Sequence, residues 1–528
     1  MSRTALAPAM SLAPLLLLAG YAFAADEDDD DAPSAAPPVG ARPSMDFEML
    51  DVVAPSRMMA PAAELSATVG GAQDIAYFRD GVANGQIPHP KTFTPEGLFS
   101  EHDLPVPDGG PCVTLLCPVG AATTAELLVQ PEVRYLAQLG FHTGIDASAF
   151  RRAPLNLVAV VDKSGSMSGQ PIDMVRASLH TIAAQLGPDD QLSLVLYGAT
   201  VHVWMPPTPG NNRGAIDRAI DGIRIDGSTN MEAGLAEGYG LAEHTRAAFD
   251  GVTRVMLFTD ERPNVGRTDA TSFMGMAEAA SLHGVGLTTI GVGEQFGAEL
   301  ATKISSVRGG NLFFFPDSMK MNDVFHEEFE TMVTELAYDM DLRVKPAPGL
   351  RIAGVYGIPG DAVEWEGDTL HLHVATLFPS KQEGGIYFAF APDGVRPGAV
   401  ARPGQPVANV ALDYTLRSGR IETSSMDFPL VSPQRAPLGL VRGGLLVEEA
   451  TVLREATALH HERNDQEGAW QLVRQLQGEL LANHDAELDS ERLTVGQLEA
   501  TLAQLSGHQG EAPRLSATRD PISGLPHR

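Results

Sequence analysis

The chain carries only two cysteines, Cys112 and Cys117 in PCVTLLC, among 528 residues. That excludes a small disulfide-stapled scaffold and leaves a thiolate zinc site half built, since structural zinc needs four ligands. Basic side chains are scarce as well: 37 Lys and Arg stand against 67 Asp and Glu, a formal charge of −30 with no basic cluster. A nucleic-acid partner is therefore not expected, because a phosphate backbone needs clustered cations. Walker loop, G-x-S-x-G elbow and dinucleotide glycine fingerprint are all missing. His326 to Glu330 reads HEEFE and lacks the second histidine of a zinc-protease helix. No run of about 20 apolar residues occurs, so no membrane-spanning helix is expected.

What is present begins with an export signal. Residues 1–24 place Arg3 before an apolar stretch around Leu15 to Leu18 and then Ala22-Phe23-Ala24, an A-x-A cleavage pattern. Tyr21 stands where a lipoprotein would need its lipidated cysteine. The expectation is an exported protein, periplasmic or secreted, in which Cys112 and Cys117 pair as a local disulfide. Residues 25–69, with the unbroken acidic run from Asp26 to Asp31 and a Pro-rich sequel, read as a solvated, disordered tether.

Beyond the tether, 70–150 reads as an N-terminal flank, with a short helical pattern at Ile75 to Val82 and strand-like alternation from Glu126 to Ile145 that Pro131 interrupts. In 151–338 short apolar runs alternate with helical patterns: Leu155 to Val161, Leu192 to Tyr197, Val201 to Trp204, Arg254 to Thr259, Gly286 to Val292 and Leu312 to Phe315 are separated by Pro171 to Leu186, Met231 to His244, Asp269 to His283 and Ala298 to Val307. This alternation implies an α/β fold with a doubly wound, mostly parallel sheet. Residues 339–430 are strands only and read as a β-sandwich-like region with which the earlier flank strands pair. Residues 431–508 return to helix, with Trp470, Val473, Leu476 and Leu480 on one face, and 509–528 read as a disordered tail.

The chemistry concentrates where the apolar run LNLVAVVD ends on Asp162 and continues KSGS. In a parallel sheet the carboxyl ends of strands gather at one edge, where ligands bind. Asp162, Ser164, Ser166, Thr229 in DGSTN and Asp260 ending RVMLFTD can converge there. Two carboxylates and three hydroxyls are hard oxygen donors, the set that suits Mg²⁺ or Mn²⁺ and suits zinc poorly.

Joined in this order, D-x-S-x-S at Asp162, Ser164 and Ser166, the loop threonine Thr229 and the strand-end Asp260 resemble the metal-ion-dependent adhesion site (MIDAS) of von Willebrand factor type A (VWA) domains. The flanks resemble, more loosely, exported bacterial proteins with a VWA core. The resemblance implies that Ser164 and Ser166 bind the metal directly, that Thr229 joins in one conformational state, and that Asp162 and Asp260 act largely through water or hydrogen bonds. Glu261 replaces the glycine usual after the last aspartate. The function expected is binding, not catalysis: a protein partner presenting an acidic residue completes the coordination shell. The alternatives are an envelope scaffold in which the metal is passive, and a metal-dependent hydrolase with Glu261 as base.

Overall fold

Every residue from Leu155 to Asp162 is buried, and the reason is visible in its neighbours: the strand runs between two parallel partners and under helices on both faces. The computed structural model describes residues 64–508 apart from 69–74, 94, 147–149, 261–269, 294–305, 316–317, 359–362, 381–383, 395–400 and 402. The export signal, most of the tether, Glu261, the tail and most of the helix expected at Ala298 to Val307 lie outside the described residues.

In chain order the elements are β1 (Glu64–Thr68), α1 (Ala76–Ala83), α2 (Pro95–Ser100), β2 (Leu116–Thr124) and β3 (Tyr135–Asp146). The central unit follows: β4 (Leu155–Asp162), α3 (Gln170–Gln185), β5 (Gln191–Tyr197), β6 (His202–Pro209), α4 (Arg213–Asp221), α5 (Met231–Arg246), β7 (Val252–Thr259), α6 (Ala270–Leu282), β8 (Val285–Val292), β9 (Gly310–Phe315) and α7 (Ser318–Met332). Then come β10 (Ala337–Pro346), β11 (Leu350–Tyr356), β12 (Val363–Glu366), β13 (Thr369–Ser380), β14 (Ile386–Pro392), β15 (Pro406–Leu416) and β16 (Ile421–Pro429), and finally α8 (Leu438–Arg463), α9 (Gln466–Ala482) and α10 (Asp489–Leu505).

The central sheet has the order β6-β5-β4-β7-β8-β9, parallel except for β6. Successive β4 residues serve two cores. Leu157, Ala159 and Val161 pack with Ile172, Val175 and Phe325 of α3 and α7. Val158 and Val160 pack with Leu235 of α5 and Phe273 of α6. The fold class read from the sequence, a doubly wound mostly parallel sheet with a sandwich-like region and a C-terminal helical region, is the one observed. His326 is an exposed residue of α7, whose Phe325 and Phe329 close the core.

A second, ten-stranded sheet folds over itself. Its path runs β11-β14-β3-β1-β13-β10-β15-β16, with β2 on β3 and β12 on β13. The Val431 amide donates to the Ala122 carbonyl at 2.8 Å, bringing the end of β16 back to β2. β3 is buried on both faces: Ala137, Leu139 and Phe141 join Leu342, Leu372 and Val410 in the sandwich core, while Leu136 joins Leu446 and Leu453 among the helices. Strands on both sides of the central unit thus share one sheet, which interrupts it.

Three local expectations need correction. Glu64–Thr68 falls inside the segment read as disordered tether, yet it is a strand, antiparallel to β13 and β3, where it supplies backbone partners to two otherwise open edges. Glu126 to Gln130 is loop, not strand; the strand before it is the Gly- and Pro-containing LCPVGAATT of β2. Gly120 is needed there, because a Cβ would stand 2.3 Å from the Gln138 carbonyl. The 70–150 flank and the 431–508 helical region, read as separate stretches, share a core: Phe78 of α1 and Leu98 of α2 pack with Val473 and Leu498 of the C-terminal helices. Among the described residues no helix is long and apolar enough to cross a membrane.

Candidate metal centre

The site residues arise at the carboxyl edge of the central sheet. β4 and β5 run in parallel register with Asp162 beside Tyr197, and β7 lies on the other side of β4 with Val161 beside Phe258. Asp162 and Asp260 therefore leave neighbouring strands at the same edge. Asp162 is fully buried, and its two oxygens are used differently: Oδ1 accepts the Ser164 amide at 2.8 Å, and Oδ2 accepts the Thr259 hydroxyl at 3.2 Å. The first bond folds the chain after the strand into a turn that presents both serines.

Ser164 is buried and Ser166 is exposed, and their Oγ atoms lie 3.0 Å apart. That separation equals the edge of an oxygen octahedron around a cation with metal–oxygen bonds of about 2.1 Å, whose edges measure about 3.0 Å. The Thr229 loop closes from the other side, where the Gly165 amide donates to the Gly227 carbonyl at 2.8 Å. Thr229 is itself buried, and the next residue, Asn230, caps α5 by accepting the Ala233 amide at 3.1 Å.

The electrostatics favour a cation. Burial, with the negative charge of Asp260 adding to it and hydrogen bonding from Ser164 opposing it, pushes the Asp162 carboxyl up to about 6. Asp260 Oδ1 is buried without a hydrogen-bond partner among the described residues. Two close carboxylates with an oxygen unpartnered among the described residues, fronted by paired hydroxyls, form a hard-donor cradle. Asp162, Ser164, Ser166, Thr229 and Asp260 are thus the residues that could hold a divalent ion. Among the described residues no group of three or more His, Cys, Asp or Glu side chains is placed to hold a metal; this site offers two carboxylates and otherwise hydroxyls.

Sequence reasoning missed several supporting residues. Tyr197 is fully buried beside Asp162, and burial together with the Asp162 charge pushes its hydroxyl pKa well up. Thr259 was hidden as an ordinary strand residue one position before the Asp260 signal. Lys163 turns away from the hydroxyls toward Asp226, with Nζ 2.5 Å from Oδ2. That hydrogen bond, with the lysine charge, holds the Asp226 carboxyl below its ordinary range. The common signal was positional, since each stands at the end of a strand beside the Asp162 turn.

Cys112 and Cys117 are bonded to each other, with Cα atoms 5.7 Å apart, at the entry to β2 and outside the central sheet. His460 and His461 are adjacent in α8 with ring centroids 4.7 Å apart, and His461 Nε2 contacts the Ile87 carbonyl at 2.7 Å.

Residues 156–327 match the family model of the von Willebrand factor type A domain. The uncharacterised protein YfbK of Escherichia coli is 30% identical over 196 residues, which cover 37% of this chain and 34% of YfbK. The uncharacterised protein sll0103 of Synechocystis is 27% identical over 203 residues, covering 38% of this chain and 47% of its own. Human inter-alpha-trypsin inhibitor heavy chain H4 is 27% identical over 197 residues, covering 35% and 21%. The chain thus spans less than half of the length of these relatives. A solved structure of a von Willebrand factor type A protein from Catenulispora acidiphila shares 14% identity over 81% of this chain and 93% of that one, with a TM-score of 0.41. The parallel sheet and its loops, residues 156–327, are a von Willebrand factor type A domain.

Proposed function

We propose that this is an exported protein that captures a protein partner through a divalent cation, Mg²⁺ or Mn²⁺, held by Asp162, Ser164, Ser166, Thr229 and Asp260. The observation that carries the reading is the pair of serine hydroxyls 3.0 Å apart in front of buried carboxylates, one of which has an unpartnered oxygen. In this reading Ser164 and Ser166 contact the ion, and Asp162 orients the turn that carries them. Asp260 supplies charge from behind. Neutral hydroxyls leave the ion under-neutralised, so it accepts a carboxylate from an Asp or Glu on the partner. VWA domains often mediate protein interactions, which supports binding over catalysis.

The test is calorimetry with Mg²⁺ or Mn²⁺ on wild type, Asp162→Ala and Ser164→Ala, followed by partner capture in Mg²⁺ against EDTA. Both variants are expected to lose the ion while keeping the fold. Equal affinity in wild type and variants overturns the site. Capture that ignores both EDTA and Ser164→Ala overturns the adhesion role. Hydrolytic turnover that is lost in Glu261→Gln would instead favour the hydrolase. Partner affinity against NaCl at fixed Mg²⁺ then reports its charge: with −30 on this chain, an acidic partner binds no more weakly as salt screens repulsion, whereas a basic one weakens.

A further inference from the structure

The residue between Asp162 and Ser164 is a lysine that points away from the hydroxyls and is 4% exposed. A buried ammonium is costly unless paired, so its placement calls for a role. Its Nζ contacts Asp226 Oδ2 at 2.5 Å and Thr200 Oγ1 at 3.3 Å, and the Thr200 hydroxyl donates to the same Asp226 oxygen at 3.4 Å. The backbone repeats the connection. The Lys163 amide donates to the Tyr197 carbonyl at 2.9 Å, the Asp226 amide to the Lys163 carbonyl at 2.6 Å, and the Ala199 amide to the Asp226 carbonyl at 3.3 Å. Three segments thus meet at one side chain: the serine turn, the residues after β5, and the loop that leads to Thr229. Gly198 lies under the lysine stem, and a Cβ there would stand 3.1 Å from Lys163 Cγ and 2.6 Å from the Asp226 carbonyl.

We infer that Lys163 is a positioning residue that staples the Thr229 loop to the serine turn and so sets cation affinity without touching the cation; this rests on the metal reading of the site given above. Two opposed effects make it testable. A positive charge near a cation site weakens binding by repulsion, so removing it should tighten binding if charge dominates. A loop that must be ordered at the moment of binding weakens it, so removing the staple should loosen binding if positioning dominates. The lysine charge is already matched by Asp226, which leaves positioning the larger effect. Because the Asp226 side chain is 45% exposed, it stays hydrated when an apolar side chain of similar length replaces the buried lysine, so global stability changes little and the loss falls on the loop.

The experiment is titration calorimetry with Mg²⁺ alone on wild type, Lys163→Met, Lys163→Arg and Ser164→Ala, with urea unfolding of each in EDTA. Lys163→Met is expected to bind Mg²⁺ about ten-fold more weakly. Its unfolding midpoint in EDTA should match wild type, and Lys163→Arg, which can still reach Asp226, should stay close to wild-type affinity. Wild type that binds while Lys163→Met binds equally or more tightly overturns the staple alone. Wild type that takes up no Mg²⁺, or takes it up as well as Ser164→Ala does, overturns the site assignment and the staple with it. Should Lys163→Met fail to fold, Lys163→Gln carries the test: it removes the charge and is too short to hold Asp226, so its Mg²⁺ affinity should fall as well, and equal or tighter binding overturns the staple.

Discussion

Arg254 Nη1 lies 2.7 Å from Glu335 Oε1, and this pair joins β7 of the VWA sheet to the segment that leads into the sandwich. The guanidinium is fully buried and bonds on every side: Nε to the Thr288 hydroxyl at 2.6 Å, and Nη2 to the carbonyls of Leu287 at 2.9 Å and Gly309 at 3.0 Å. It also lies over the Phe378 ring of β13, 5.1 Å from its centroid. Arg254→Met should therefore cost about 3–5 kcal/mol, because it removes the cation facing Glu335, which keeps only the Tyr338 hydroxyl, and takes a buried donor from the Thr288, Leu287 and Gly309 oxygens. Urea unfolding measures it, and a cost under about 1 kcal/mol would mean that water replaces the guanidinium.

Glu449 of α8 and Glu491 of α10 are both fully buried. Burial, and then the charge of Glu491, push the Glu449 carboxyl well above the usual carboxylate range. Burial works against Glu491 too, but the hydrogen bond from His102 and the charge of Arg79 hold it below that range. Glu101 and Ser490 complete the cluster. Glu449 thus keeps its proton in the folded protein and loses it in the unfolded chain, so its contribution to stability is present at low pH and declines as pH rises through the ordinary carboxylate range and beyond. Glu449→Gln is expected to gain stability relative to wild type between pH 4.5 and 7.5, read as a widening gap in urea midpoints. A gap that does not change with pH would show that Glu449 is ionised.

Gly234 of α5 packs where a Cβ would stand 2.6 Å from Cγ of the Tyr197 ring. Gly234→Ala should cost about 1–3 kcal/mol by overpacking. Because Tyr197 abuts Asp162, it should also weaken cation binding, whereas Gly240→Ala, at a position with open space, should do neither. Thermal unfolding and Mg²⁺ titration of the two variants together check this.

The Cys112–Cys117 bond closes a ring of five-residue separation. So small a ring constrains little of the unfolded chain, and Cys112→Ser/Cys117→Ser should lose at most about 2–3 kcal/mol. Mass mapping that found both thiols free in the purified protein would remove the bond itself.

The central domain was legible because a strand buried on both faces reads as an unbroken apolar run, and LNLVAVV followed by an acid marks such a strand and its functional end. α4 escaped notice: it is nine residues long and its buried anchors are just Ile216 and Ile220. β1 was unreadable for a different reason, since its partners, Ser380 and His142, lie far away in the chain and its pairing follows from their open edges. The same holds for Lys163 and Asp226, which are 63 positions apart and meet only once β4 and β5 are in register. Local pattern reveals a strand and its last residue; it does not reveal which distant loop folds down on that residue.

Entry to and exit from the VWA domain lie at one pole. The chain enters at Leu155, the amino end of β4, where Asp190 holds Arg152 through two bonds of 2.7 Å and accepts the Leu155 amide at 2.8 Å. It leaves after α7, whose last residue, Met332, is tied to Asn311 near the amino end of β9. The hydroxyls of Ser164 and Ser166 stand at the opposite pole, beyond the carboxyl end of β4. A partner gripped there would pull along the strands, with tension divided between two backbone tethers that both run into the same sandwich. Strands loaded lengthwise resist with all their cross-strand hydrogen bonds at once and cannot be peeled apart singly, so under the proposed reading a partner's pull would be met in shear.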